Sequence, residues 1–254
     1  MAYQKLKTFF GLSWQLAKAD FKLRNEGSYL GILWYLLNPL LMFGLLFLIF
    51  STRVGQNIPY YPLYLLLGII IFNFFQKTTL DSTNAIIRNR SIIKSINFPR
   101  TSLVFSIVLK FLFSHVFEIF ILFIFCILLK IPILGLGFYP LILIFFALFI
   151  YGACLFFSSL AVYFIDLENI WIFVSLLIWL GTPIFYAIEN QSRLFTLNLF
   201  NPLYYFITIS REVVIYNKMP ELWMVFGMLG YTLLALIIGF IVFGKLKNKF
   251  AELI

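Results

Sequence analysis

The chain has 254 residues, 63% of them hydrophobic and only 11% charged, with a formal net charge of +9. A solvated domain carries about a quarter charged residues, so a soluble fold is excluded, and with it the nucleic-acid partner that such a charge would suggest on a soluble protein. Apolar runs near the roughly 20 residues that cross a hydrocarbon core recur along the sequence, without the short alternating segments of a β-barrel, and predict an all-α polytopic membrane protein in one membrane domain.

Met1–Gly27 is polar and amphipathic and reads as a cytoplasmic segment rather than a cleavable signal. Within it, residues 4–22 predict a helix lying in the membrane surface. Gln4, Lys7, Gly11, Gln15, Lys18 and Lys22 form its polar stripe. Leu6, Phe10, Trp14, Ala17 and Phe21 form its apolar side, which Lys5, Ser13 and Asp20 interrupt. Six spans are expected at 30–52, 62–82, 102–129, 139–163, 170–188 and 222–244, forming a bundle over 30–244, with 245–254 as a tail. The first contains Asn38–Pro39, which is expected to bend it, since proline removes a donor and crowds the preceding turn. Lys and Arg concentrate in 5–24, 88–100 and 245–249, which places both termini and the 83–101 loop in the cytoplasm. The segment 189–218 is apolar, yet a seventh crossing would export the C-terminal lysines, and Asn201–Pro202 breaks its longest clean run. A re-entrant hairpin of two short helices entering from the outer side is therefore expected. Non-helical backbone at that depth must be buried in protein or line a wet cavity.

Chemical motifs are sparse. Gly239–Leu246, "GFIVFGKL", imitates a phosphate loop but has leucine where Mg needs Ser or Thr, and no strand precedes it. No ATPase site, cofactor or metal is expected on this chain, and Cys126 and Cys154 read as inert buried thiols. His115 and Glu118 share one face of the third span as intramembrane polar residues. They predict either a polar contact to a neighbouring helix, subunit or lumen, or the core of a membrane-embedded transferase. Asp166 and Glu168 read as a solvated turn or a contact with a cytoplasmic partner. Most aromatics are expected to pack or anchor at the interface. Trp34 and Tyr35 beside Asn38–Pro39, with Tyr204, Tyr205 and Phe206 beyond Asn201–Pro202, are the candidates to stack on sugars along a channel or gate.

Four stretches in order resemble the type-2 ABC exporter permeases, above all the subunits that export O-antigen polysaccharide or teichoic acid. They are "FKLRNEGSYLGILWYLLNPLL" (21–41), "FNFFQKTTLDSTNAIIRNRSIIKSINFPRTSLVFS" (72–106), "DLENIWIFVSLLIWLGTPIFYAIE" (166–189) and "NPLYYFITISREVVI" (201–215). Ile165 stands where such permeases commonly carry arginine. The resemblance implies a homodimer in the bacterial inner membrane, a separate nucleotide-binding subunit, itself a dimer, that holds ATP and Mg, and a lipid-linked polysaccharide as cargo. It implies that the N-terminal helix (Lys7, Trp14, Lys18) and the 83–101 loop (Arg88, Arg90, Lys94, Asn97, Pro99, Arg100) touch that ATPase. A drug or small-lipid exporter of the same fold is the alternative within transport.

Overall fold

The computed structural model describes residues 2–26, 29–95, 98–188 and 192–250. The described residues contain helices and no strand: α1 (Ala2–Asn25), α2 (Trp34–Phe50), α3 (Tyr61–Thr83), α4 (Ala85–Arg88), α5 (Arg90–Ser95), α6 (Thr101–Leu128), α7 (Leu134–Ala161), α8 (Leu167–Gly181), α9 (Arg193–Asn198), α10 (Pro202–Val214) and α11 (Leu222–Leu246). Four of them, α3, α6, α7 and α11, are long and apolar enough to cross a membrane. The apolar α2 and α8 have 17 and 15 residues. At 1.5 Å per residue they reach about 25 and 22 Å, short of a hydrocarbon core of about 30 Å.

Two expected spans are shorter than their apolar runs, each for a local reason. The run 170–188 stops being helical at Gly181, because Pro183 forces Thr182 into an extended conformation (φ −83°, ψ 138°). The run 30–52 begins with a 3-10 turn at Gly31–Leu33 and becomes α-helical at Trp34. Pro39 then falls in the second turn of α2, and the helix continues to Phe50, so Asn38–Pro39 does not interrupt it.

Helix α3 is the axis of the bundle. It packs against α2, α6, α7, α8 and α10, and Leu63, Leu65, Leu66, Leu67, Ile69 and Ile70 along it are fully buried. Its last turns are polar yet enclosed. Thr78, Thr79, Ser82 and Thr83 donate to the carbonyls of Phe74, Phe75, Thr79 and Leu80, which leaves no hydroxyl proton unsatisfied in the packed interior.

Small residues set the closest helix pairs, since lipid tails give apolar surface no reason to prefer protein and only tight packing distinguishes the two. A Cβ on Gly152 of α7 would lie 2.4 Å from the Ala235 carbonyl carbon of α11, and one on Gly239 would lie 2.3 Å from the Gly152 oxygen. Helix α1 lies on α6 by the same device. Ser13 and Ala17 are fully buried, and the Ser13 hydroxyl lies 3.2 Å from the Ser102 carbonyl as donor. Ser13 is at the centre of the packed face, while Leu6, Phe10 and Trp14 on the apolar side remain 55%, 54% and 51% exposed. Phe10 and Trp14 touch α6 only edgewise, through Phe105 and Phe113.

Gly152→Ala therefore lowers the melting temperature of the detergent-solubilised protein, corresponding to roughly 1–3 kcal/mol of overpacking. Gly230→Ala, whose Cβ would meet nothing within 4 Å, leaves it unchanged or raises it. Equal melting temperatures for the two variants would contradict the close α7–α11 contact.

Candidate functional site

The candidate site is built around the non-helical backbone that Pro183 creates. Residues 182–186 follow an apolar helix and lack helical partners for their carbonyls, which a hydrocarbon surrounding cannot supply. Side chains from three other elements do so. Arg211 of α10 donates from Nη1 to Pro183 O (2.6 Å) and from Nη2 to Ile184 O (2.8 Å), while Nε and Nη2 reach Tyr64 O at 3.2 and 3.0 Å. The Tyr61 hydroxyl donates to Phe185 O (3.0 Å) and the Tyr64 hydroxyl to Tyr186 O (2.9 Å). From α9, Asn198 Nδ2 donates to Gly181 O at 3.0 Å, and just before α10 Asn201 Nδ2 donates to the Thr182 hydroxyl at 2.7 Å.

Arg211 is 3% exposed, and among the described residues no carboxylate pairs with it. Its guanidinium carbon lies 3.3 Å from the centroid of the Tyr64 ring, so the π face supplements the carbonyl dipoles. Gly68, one turn beyond Tyr64, makes the niche: a Cβ there would lie 2.7 Å from Nη2. The same region starts α10. Asn201 caps it by accepting from Leu203 N (3.1 Å), and Pro202 occupies the first turn, where a missing N–H costs nothing.

The aromatic candidates separate. Phe206 is fully buried against Phe146 and Phe149, and Tyr205 is 6% exposed, with its hydroxyl on Leu199 O and its ring against Tyr231. Neither offers a free ring face within one chain, which corrects the stacking role expected of them. Tyr204 is equally buried, with its ring edge-on to Phe195 and Tyr205, and borders a cavity of about 570 Å³. Tyr35 is also buried, stacked between Phe21 of α1 and Phe117 of α6 with the Arg24 guanidinium over its ring, so it staples α1 to the bundle. Trp34 is 48% exposed, Asn38 is exposed and Pro39 is buried.

At the opposite end of α3 a second polar cluster gathers four elements. Asp81 of α3 pairs with Lys110 of α6, and with Arg88 of α4 at 2.9 Å; Arg88 also faces Asp20 of α1 at 3.9 Å. Burial works against the Arg88 charge, but the hydrogen bond and charge of Asp81, then the charge of Asp20, outweigh it and hold the pKa above its ordinary value. Asn84 links this turn to α8 by donating to Glu168 Oε2 at 2.7 Å, so Glu168 is partnered within the chain. Arg100 donates to the Lys247 carbonyl and ties the start of α6 to the end of α11. Pro99 is half-buried beside it and accepts from the Ser102 hydroxyl at 2.6 Å. Lys7, Trp14, Lys18, Arg90 and Lys94 are exposed on the same segments, open to a partner; Asn97 lies outside the described residues.

Between the two clusters, His115 Nδ1 lies 2.7 Å from Glu118 Oε2, and His115 Nε2 lies 2.8 Å from the Tyr139 hydroxyl of α7. His115 stacks on Phe74 of α3 and is fully buried. The cavity beside Glu118 is only about 10 Å³, about the space of one water. That geometry joins α3, α6 and α7. The phosphate-loop imitation at 239–246 lies within α11, where its amides serve the helix and Gly239 presses on Gly152. Among the described residues no group of three or more His, Cys, Asp or Glu is arranged to hold a metal.

The charged residues Asp81 and Lys110 lay inside predicted spans, and their position alone was the signal that they need partners. Arg211 carried a weaker sign, an Arg–Glu pair amid largely apolar residues, and its carbonyl partners had no signature.

These features define an all-helical, multi-pass membrane protein whose described helices are joined by polar contacts at their junctions. Residues 12–215 match the family described as ABC-2 type transporter. Over 252 residues the chain is 30% identical to an O-antigen export system permease protein RfbA of Klebsiella pneumoniae, covering 96% of this chain and 95% of that one. It is 29% identical over 255 residues to another protein of that name from the same species, covering 96% and 95% of the two chains. To the protein of that name from Myxococcus xanthus it is 23% identical over 253 residues, covering 98% and 97%. The chain belongs to the ABC-2 type transporter family.

Asp81→Asn leaves Lys110 buried without its counter-charge. It destabilises the protein by somewhat less than the roughly 3–5 kcal/mol of a fully enclosed pair, because 22% of the Asp81 side chain stays exposed. Asp81→Asn combined with Lys110→Met recovers most of that loss in thermal unfolding; a double variant as unstable as the sum of the singles would refute the pairing. At the other end, Arg211→Lys fails to restore the melting temperature lost in Arg211→Met, because one ammonium cannot fork to three carbonyls.

Proposed function

We propose that this chain is the transmembrane subunit of an ATP-driven exporter that moves a lipid-linked, O-antigen-like polysaccharide across the bacterial inner membrane. The observation that carries this reading is the match along nearly the whole chain to proteins named O-antigen export permeases. The subunit pairs with a second copy, and the conduit runs along α2 and α8, whose outward faces hold exposed apolar side chains such as Leu41, Leu45, Phe173 and Leu177. In this reading α2 and α8 complete a six-span bundle despite their length. The end of α3 bearing Asp81 faces the cytoplasm, and α9 and α10 form a re-entrant pair that closes the outer end.

ATP and Mg belong to a separate nucleotide-binding dimer. Its motion enters through the exposed cations of α1, α4 and α5 and reaches α3 and α6 through the Asp20–Arg88–Asp81–Lys110 junction. No residue of this chain performs a covalent step: its work is to hold two helix-lined states and exclude water between them. The bond stitching at 182–186 supports a stiff outer closure, since shifting α10 would strand carbonyls in an apolar surrounding.

Reconstitution with the partner ATPase gives ATP-dependent transfer of lipid-linked polysaccharide across proteoliposomes. Transfer without the ATPase, or none with it, would reject the assignment. Deleting residues 1–22 uncouples hydrolysis from transfer: ATP turnover persists while glycan movement falls at least about tenfold. Cysteines placed at Ser192 and Asn217 are both labelled by an impermeant reagent from outside; labelling from opposite sides would make the 192–217 segment a true crossing.

A further inference from the structure

Helices α7, α10 and α11 border a second cavity, of about 540 Å³, to which neither α2 nor α8 contributes. Along α7 it is lined by Leu134, Phe138, Leu141 and Phe145, one helix face at i, i+4, i+7 and i+11. Val213 of α10 and Met228 of α11 form the facing walls. The trench is open, since Leu134, Phe138 and Leu141 are 75%, 54% and 58% exposed. From Leu134 to Phe145 its floor runs about 16 Å at 1.5 Å per residue, close to half of a hydrocarbon core of about 30 Å.

The polar groups lie at one end only, where α7 begins. Asn217 and Lys218 line that end. Asn217 adopts the left-handed conformation (φ 49°), which asparagine tolerates. Its side chain accepts from Gly135 N at 3.1 Å and donates to Pro132 O at 3.4 Å. A side chain on Gly135 would collide with the Val213 carbonyl, so α10 and the first turn of α7 are in direct backbone contact. The loop bearing Lys218 is thereby clamped to the head of the trench. Among the described residues Lys218 is the one charged side chain of the lining, and no carboxylate pairs with it. Glu212 and Glu221 line the neighbouring cavity instead. Lys130, exposed in the turn just before α7, adds a second cation without an ion-pair partner among the described residues.

We infer that this trench is a binding site for an anionic phospholipid, phosphatidylglycerol, with one acyl chain along α7 and the phosphate at Lys218. The trench has the length of one leaflet, and its polarity is that of an amphiphile: apolar throughout, with a cation at one end. Acyl chains gain little by exchanging lipid for protein, so the headgroup supplies the selectivity. The inference goes beyond the export reading and does not depend on the cargo; the orientation proposed above only assigns the lipid to the outer leaflet. A lipid lodged there touches α7, α10 and α11 at once and holds α10 against the α7–α11 frame.

The test titrates dioleoyl phosphatidylglycerol and dioleoyl phosphatidylethanolamine against the delipidated full-length chain in detergent, counting bound lipids by native mass spectrometry. The wild type retains one phosphatidylglycerol per chain about fivefold more tightly than phosphatidylethanolamine, the worth of one lysine at an anionic surface. Lys218→Gln removes that preference and leaves phosphatidylethanolamine retention unchanged. Leu141→Trp obstructs the trench and lowers the retention of both lipids. Both replaced side chains are exposed, so the fold is retained. Lys18→Gln, at an exposed lysine of α1, keeps the wild-type preference. Equal retention of the two lipids by the wild type, or a preference that survives Lys218→Gln, overturns the inference. Retention unaltered in Leu141→Trp places the lipid elsewhere and overturns it equally. Each of these results leaves the export reading standing.

Discussion

Pro183 imposes the constraint on which this structure depends. It ends α8 at Gly181 and leaves a stretch of bare carbonyls beside an apolar helix. In water such a stretch is harmless; next to lipid each unmet carbonyl costs several kcal/mol. The solution is distributed. Arg211, Tyr61, Tyr64 and Asn198 come from three elements, and each closes one or more of these carbonyls. Their backbones are thereby fixed relative to one another, so α3, the end of α8 and the α9–α10 pair behave as one rigid piece.

Helix α3 carries the other polar contacts in sequence along its length. Tyr61, Tyr64 and Gly68 meet Arg211 at one end, Phe74 meets the His115–Glu118–Tyr139 string at its middle, and Asp81 gathers Arg88 and Lys110 at the other. A displacement applied to α1 or α4 is therefore passed to a helix that is itself bonded to the opposite end of the bundle. The apolar contacts around it are non-directional and can slide. The polar ones have fixed partners and define discrete positions. The tight α7–α11 contact at Gly152 and Gly239 supplies the frame against which α3 is held.

Much of this was legible in the residues. Apolar runs located the four long helices, and the break expected at Asn201–Pro202 falls at the start of α10. The lengths of α2 and α8 were not, because hydropathy reports which residues tolerate lipid and not where the backbone stops being helical. The steric effect of Pro183 on Thr182 decides it for α8, and the 3-10 turn at Gly31–Leu33 for α2. The packed face of α1 had no signature either: Ser13 weakens an apolar stripe on paper but permits the close approach to Ser102. Phe206 and Tyr205 looked like free aromatic surface beside a helix start, and three-dimensional packing consumed both. Arg211 gave least away, since its partners are main-chain oxygens that any sequence would provide.

The most direct test of this account reads the carbonyls themselves. The Ile184 carbonyl, labelled with carbon-13 and oxygen-18, is observed by infrared spectroscopy in wild-type protein and in Arg211→Met, both in lipid. The account predicts a low amide I frequency in the wild type, typical of a carbonyl bonded to a cation, and a shift to higher wavenumber in the variant. The same frequency in both would mean that Arg211 does not hold the broken end of α8, and the rigid link between α3 and the α9–α10 pair would go with it.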